Sequence, residues 1–243
     1  MMHEPLILAL DTSHTRGSVA VARGDEVLSE VLFDASDTHS ATLMPAVDFC
    51  LRSAKVELGG VDLFAVVSGP GSFTGLRIGA ATIKGFAAVH RRPVVPVTSL
   101  EVLAAAFPFV EKPVLPLIDA RRGEVYGALF RVDEGLPREL IAPFSAEPER
   151  VQDVLMGGGF TESVVVCGTG SVRYRELLEK SVSHGSIFSH ARFSIPSSSL
   201  LAVLARMREQ IPYEEVSGFE PLYIRPPDAR LPEDSSLRGE SDR

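Results

Sequence analysis

Residues 6–22, LILALDTSHTRGSVAVA, run apolar to Leu10, stop at Asp11, pass through a polar turn to Gly17 and then alternate again. That is the pattern of a buried strand, a tight turn and a returning strand. Residues 114–130, VLPLIDARRGEVYGALF, repeat it, with Asp119 and Gly123 standing where Asp11 and Gly17 stood. After the first hairpin a third strand is predicted over 26–33 and a helix over 38–56, where Leu43, Val47, Cys50 or Leu51, and Ala54 recur at helical spacing. Thr38 or Ser40 suits its N-cap, and Pro45 is tolerable only near the first turn or where the axis bends. A strand over 62–71, a helix over 73–90, a strand over 93–97 and a helix over 99–107 complete the first half. The second half predicts a strand at 137–142, a short helix near 147–156, a strand at 164–168, and helices over 170–180 and 197–210.

Strands alternating with helices after each of two matching hairpins predict an α/β chain of two similar lobes, each a mixed sheet flanked by helices. The lobes are expected over 1–109 and 110–225, with the helix 197–210 free to pack back on the first. Residues 226–243 are Pro-rich and charged with little to bury, so a mobile or extended tail is expected.

The stretch SGPGSFTGLRIG, residues 68–79, joins the fourth strand to its helix. It is not a Walker loop: Thr74 lies five places after Gly69, Leu76 five after Gly71, and Lys84 is too distant. The dinucleotide fingerprint fails as well, with Thr74 where the third Gly belongs and Pro70 removing an amide donor. Gly75 and Gly79 share one helix face, at a cost of about 1 kcal/mol each relative to Ala. Such a thinned face admits a second helix, packing within its own lobe explains it too, and an anion at the helix start is a third reading.

Composition narrows the classes. The chain has 243 residues, is 45% hydrophobic and 23% charged, and has no apolar run of membrane-spanning length. Its start looks like a first strand and not a signal peptide. Cys50 and Cys167, far apart in apolar surroundings, read as buried free thiols of a cytoplasmic protein. The net charge of −8 argues against independent RNA binding, although Arg91–Arg92, Arg121–Arg122 and Arg173 with Arg175 leave room for a local basic patch within a complex.

LALDTS, HSATLMPAVDFCL, SGPGSFTGLRIG and DARRGEVYGALF, in that order, with PLYIR at 221–225, resemble the TsaB (YeaZ) family. The resemblance implies an actin-like ATPase (ASKHA) fold and a non-catalytic subunit that pairs with a catalytic paralogue, TsaD. The complex, joined by the ATPase TsaE, moves a threonylcarbamoyl group from threonylcarbamoyl-AMP to N6 of adenosine 37 in tRNAs reading codons that begin with A. It further implies homodimers when the partner is absent, no membrane partner, and an interface on the first-lobe helices through Leu43, Val47, Leu51, Gly75, Gly79 and Ile83.

Three catalytic readings compete with this one. The catalytic paralogue's His-x-x-x-His metal motif is broken, since His39 is followed four places on by Leu43, so no metal is expected and His39 reads as a helix-start residue. An actin-like kinase or ATPase would place Asp11, Thr12, Ser13 and Asp119 in its two phosphate loops, and Gly168 and Gly170 of CGTGS in its adenosine loop. Both loops lack the glycines that let backbone amides close on phosphate, which reads as an eroded cleft, with weak ATP or ADP binding at a subunit boundary left open. Ser72 does not fit the nucleophile-elbow spacing, and Ser72 or Thr74 is better read as a helix cap.

Overall fold

Two five-stranded sheets carry the chain, and they are wired alike. The computed structural model describes residues 4–34 and 39–225, excluding the side chains of His39 and Ser40. The expected N-cap, the role of His39 and the tail 226–243 lie outside the described residues. In the first sheet β1 (Leu6–Asp11), β2 (Arg16–Arg23) and β3 (Glu26–Asp34) form an antiparallel meander, and β4 (Leu63–Gly69) and β5 (Val94–Thr98) add in parallel, giving the order β3-β2-β1-β4-β5. In the second, β6 (Val114–Arg121), β7 (Glu124–Asp133), β8 (Leu136–Ala146), β9 (Val165–Cys167) and β10 (Ile187–Phe188) take the equivalent order β8-β7-β6-β9-β10. The echo between the two opening hairpins is therefore a repeat of whole lobes.

The helices repeat too. In the first half α1 (His39–Ser53) joins β3 to β4, α2 (Phe73–His90) joins β4 to β5, and α3 (Ser99–Ala105) follows β5. In the second half α4 (Val151–Gly157) joins β8 to β9, α5 (Thr169–Arg173) and α6 (Arg175–Ser181) join β9 to β10, and α7 (Ser198–Arg206) comes last. The single helix expected over 170–180 is broken at Tyr174, whose hydroxyl bonds Asp119 Oδ1 at 3.2 Å. Pro45 lies in the second turn of α1 on its exposed face, so the Ala41 carbonyl it leaves without an amide partner is on the solvent side.

Period-two alternation sorts the core. Leu6, Leu8 and Leu10 of β1 face α1 and α2, joined by Phe64 and Val66 of β4; Ile7 and Ala9 face the opposite way, against α3 and α7. Helix α3 is shared: Val102 and Ala105 pack on the first sheet, Leu100, Leu103 and Ala104 on the second. Its start is fixed by a capping box in which Thr98 and Glu101 satisfy each other's amides.

The last described stretch returns to the first lobe. Ile211 pairs with Val94 on the edge of β5, and Val216 and Phe219 enter the core under α2. The Leu222 amide donates to the Ser68 carbonyl at 2.7 Å, and Tyr223 packs on Phe73. Arg225 then crosses to the second lobe, bonding Glu124 Oε2 at 2.9 Å and the Ala120 carbonyl at 3.0 Å.

Candidate functional site at the start of the glycine-rich helix

Ser72 caps α2, its hydroxyl accepting from the Gly75 amide at 3.3 Å. Onto this helix start the β1–β2 turn folds down. Thr12 Oγ1 donates to the Gly75 carbonyl at 2.7 Å, and the Ser72 amide donates to the Ser13 carbonyl at 2.7 Å. A Cβ on Gly71 would overlap the Ser13 backbone, and one on Gly79 would overlap Thr12 Oγ1. The glycines thus serve close approach, but to the chain's own hairpin. The expectation that Gly79 meets another chain is corrected: its open side is already filled.

The other expected contacts divide in the same way. Leu43, Val47 and Ile83 are buried against the first sheet, Gly75 is buried beneath the hairpin, and Leu51 is half-buried against the same core. As direct contacts Leu43, Val47 and Ile83 are therefore corrected to core residues. Helical spacing says which residues share a face, not whether that face looks in or out, and the most apolar stripe usually faces its own sheet. Because α1 and α2 cover the same face of the sheet and touch each other, their outer sides look away from the core together. Those sides carry Met44 (48% exposed) and Phe49 (58% exposed) on α1, and exposed Ala81, Gly85 and Ala88 on α2.

The two halves of the expected nucleotide cleft are each tied into their own lobe. In the first, the Ser13 amide and hydroxyl both donate to Asp11 Oδ1, at 2.8 and 2.6 Å, while Ser13 Oγ lies 2.7 Å from His14 Nδ1. With the hydroxyl donating to Asp11, the imidazole Nδ1 supplies the proton to Ser13 Oγ. Asp11 is fully buried and its Oδ2 has no hydrogen-bond partner. Burial raises its pKa to about 6 against the opposing bonds from Ser13, and burial lowers that of His14 to about 4.

In the second lobe the Asp119 amide donates to Thr169 Oγ1 at 3.1 Å, and its carboxylate accepts the Arg121 amide at 2.9 Å. Gly168 and Gly170 sit where a Cβ would meet the Leu117 carbonyl, so they allow α5 to pack on β6. The Ser13, Ser72, Asp119 and Arg121 amides are all committed to internal bonds and are not free to hold an anion.

Other chemistry is sparse. Both thiols are buried, and burial raises the pKa of each. Among the described residues no cluster of three His, Cys, Asp or Glu is placed to hold a metal, and no helix is long and apolar enough to cross a membrane. A cavity of about 510 Å³ opens between the ends of β4 and β5 and the returning segment, lined by Ser68, Thr98, Glu101, Leu222 and Tyr223. Glu101 is already engaged there with Thr98 and Arg208.

Comparison with known proteins gives one answer. The family model of TsaD, tRNA N6-adenosine threonylcarbamoyltransferase, matches residues 33–232. The tRNA threonylcarbamoyladenosine biosynthesis protein TsaB of Bacillus subtilis is 30% identical over 225 residues, covering 90% of this chain and 93% of its own. The TsaB of Haemophilus influenzae is 32% identical over 237 residues, covering 92% and 95%. YeaZ from Pseudomonas aeruginosa superposes with a TM-score of 0.76 at 28% identity, over 90% of this chain and 99% of that one. The ethanolamine utilization protein EutJ of Carboxydothermus hydrogenoformans, with a TM-score of 0.51 at 13% identity over 82% and 90%, shares the fold alone. With its paired actin-like lobes and relatives matched along nine-tenths of its length, the chain belongs to the TsaB (YeaZ) family.

Proposed function

We propose that this chain is the non-catalytic partner subunit of a complex that transfers a threonylcarbamoyl group to N6 of adenosine 37 in tRNA. It binds a TsaD-type catalytic paralogue through the outer sides of α1 and α2. The observation that carries this reading is the exposed outer side of those helices: Met44 and Phe49 stand out on α1 around the Asp48–Arg52 ion pair, and small Ala81, Gly85 and Ala88 are exposed on α2. Small residues let helices from two chains come close, and protruding Met and Phe fill the space between them. The same surface supports a homodimer when the partner is absent. A TsaE-type ATPase and tRNA join through the assembled pair. In this reading the chain has no nucleotide site of its own, in keeping with the Ser13, Asp119 and Arg121 amides being bonded internally; weak ATP or ADP binding belongs to the boundary with the partner.

The test is Gly85→Leu. A Cβ at Gly85 meets nothing within 4 Å, so the isolated fold tolerates the change while the helix pair is wedged apart. Sedimentation of the chain mixed with its TsaD-type partner is expected to show heterodimer for the native chain and little for the variant. Undiminished pairing refutes the surface. Purified chain is expected to turn over no ATP alone and to restore tRNA modification when mixed with its partners; phosphoryl transfer by the chain alone refutes the non-catalytic role.

A further inference from the structure

Positive charge gathers at the tip of the β6–β7 hairpin in a chain whose net charge is −8. Arg121 and Arg122 occupy consecutive left-handed positions there, at φ 64 and φ 54, followed by Gly123 at φ 82. Arg173, at the end of α5, reaches the same point: its Nη1 lies 3.5 Å from Asp119 Oδ2, and Arg121 Nη1 lies 4.0 Å from that same oxygen. Arg225 closes the group through the Ala120 carbonyl and Glu124. Three guanidiniums therefore stand around two carboxylates, with exposed Arg122 next along the turn.

Asp119 acts as an anchor. Its carboxylate is only 12% exposed, whereas the Arg121 and Arg173 side chains are 71% and 57% exposed. One carboxylate oxygen thus faces two guanidiniums at ion-pair distance, while both arginine side chains stay largely open to solvent. Tyr174 steadies the anchor through Asp119 Oδ1, and its ring lies 5.6 Å from the Arg173 guanidinium. Left-handed backbone favours Gly, Asn or Asp at such a turn, so arginines there put charge at the tip against local preference.

We propose that this arginine tip is a docking surface for the phosphodiester backbone of RNA, contributed by the second lobe to the tRNA held by the assembled pair. The inference rests on the reading of the chain as a subunit of a tRNA-modifying complex. Guanidiniums offer planar paired donors that match phosphate oxygens, and an exposed cluster of them suits a polyanion better than the charge-depleted core of a protein interface. The chain's acidity elsewhere keeps the contact local and makes it depend on the partner for the rest of its affinity.

The test uses the chain paired with its TsaD-type partner and unmodified tRNA, with affinity read by fluorescence anisotropy across a range of KCl. Two variants remove charge: Arg121→Asn with Arg122→Asn, where Asn suits the left-handed backbone, and Arg173→Gln. Heterodimer assembly is expected to be unchanged by sedimentation. The double variant is expected to weaken tRNA binding about ten-fold and to flatten the slope of log affinity against log salt by about 1.5, roughly 0.7–0.9 per lost phosphate contact. Arg173→Gln flattens it by about half as much. An assembled pair whose tRNA affinity and salt slope ignore the substitutions overturns the proposal alone. Weakened assembly with unchanged tRNA affinity makes the tip a protein contact and also overturns it. Native chains that fail to pair overturn the partner-subunit reading and this proposal with it.

Discussion

Gly79→Ala separates a glycine that serves its own lobe from one that serves a partner. Placing a methyl on Gly79 drives it into Thr12 Oγ1, closer than real Cβ contacts come, with Val66 Cγ2 behind at 3.6 Å. Thr12 cannot swing away cheaply. It is buried, and its hydroxyl is held to the Gly75 carbonyl at 2.7 Å. Losing that bond costs about 1 kcal/mol, and overpacking adds about 1–3 kcal/mol. Against this, Ala in place of a helical Gly gains about 1 kcal/mol. The net expectation is destabilisation by about 1–3 kcal/mol in urea unfolding of the isolated chain. In a Thr12→Ala background the obstructing oxygen is gone, and the same substitution becomes neutral or mildly stabilising. The double-mutant cycle then shows a coupling of about 2 kcal/mol in the direction of rescue. Gly85→Ala is the control, with open space around it and a gain of up to about 1 kcal/mol expected. If Gly79→Ala behaves like Gly85→Ala in both backgrounds, the hairpin is not what the glycine accommodates.

Asp11→Asn probes the buried carboxyl next to it. Because burial raises the folded pKa to about 6, above the ordinary carboxylate value of 3.8, native stability falls as pH rises from about 4 through 6. The advantage of the Asn variant over the native chain is expected to grow by about 2 kcal/mol between about pH 4.5 and pH 7.5. His14, whose pKa is lowered to about 4, gives stability that rises over pH 4–6.5 in both proteins and drops out of the difference. A difference flat in pH, measured by urea unfolding, refutes the burial argument. Arg122→Asn relieves a left-handed arginine at φ 54 and is expected to raise stability by about 1 kcal/mol or less, read as a higher midpoint on thermal unfolding. A lowered midpoint contradicts the account of the turn.

Much of the fold was legible because its signals are local. The apolar runs of β1 and β6, each ending in Asp before a turn, marked both hairpins, and their likeness gave two lobes. Helix α2 was readable from its Ser72 cap to His90. Three things depended on distant contacts and left no periodic trace. Strand β10 is only Ile187–Phe188, too short to alternate. The break at Tyr174 answers to Asp119, 55 positions earlier. Ile211, Val216 and Phe219 are scattered apolar residues whose place in the first lobe depends on Val94 and α2. The site was half legible for the same reason. The resemblance points to α1 and α2 as the paired surface, but the contacts it implies include their inward stripe, Leu43, Val47 and Ile83, whereas helical spacing alone does not distinguish the outward Met44 and Phe49 from the core face. The DARR turn showed its charge in the sequence, yet its convergence with Arg173 and Arg225 needed the fold.

The return of the chain's end to its beginning bears on how the protein is made. Helix α7 and residues 211–223 seal the first sheet, yet they are synthesised after nearly the whole second lobe. A nascent chain emerging from the ribosome therefore presents a first lobe with Val94 and the far face of β1 uncovered until its last stretch is out. The first lobe is therefore finished last, and a ribosome that stops short of Ile211 releases a second lobe with all its strands made and a first lobe still open along β5.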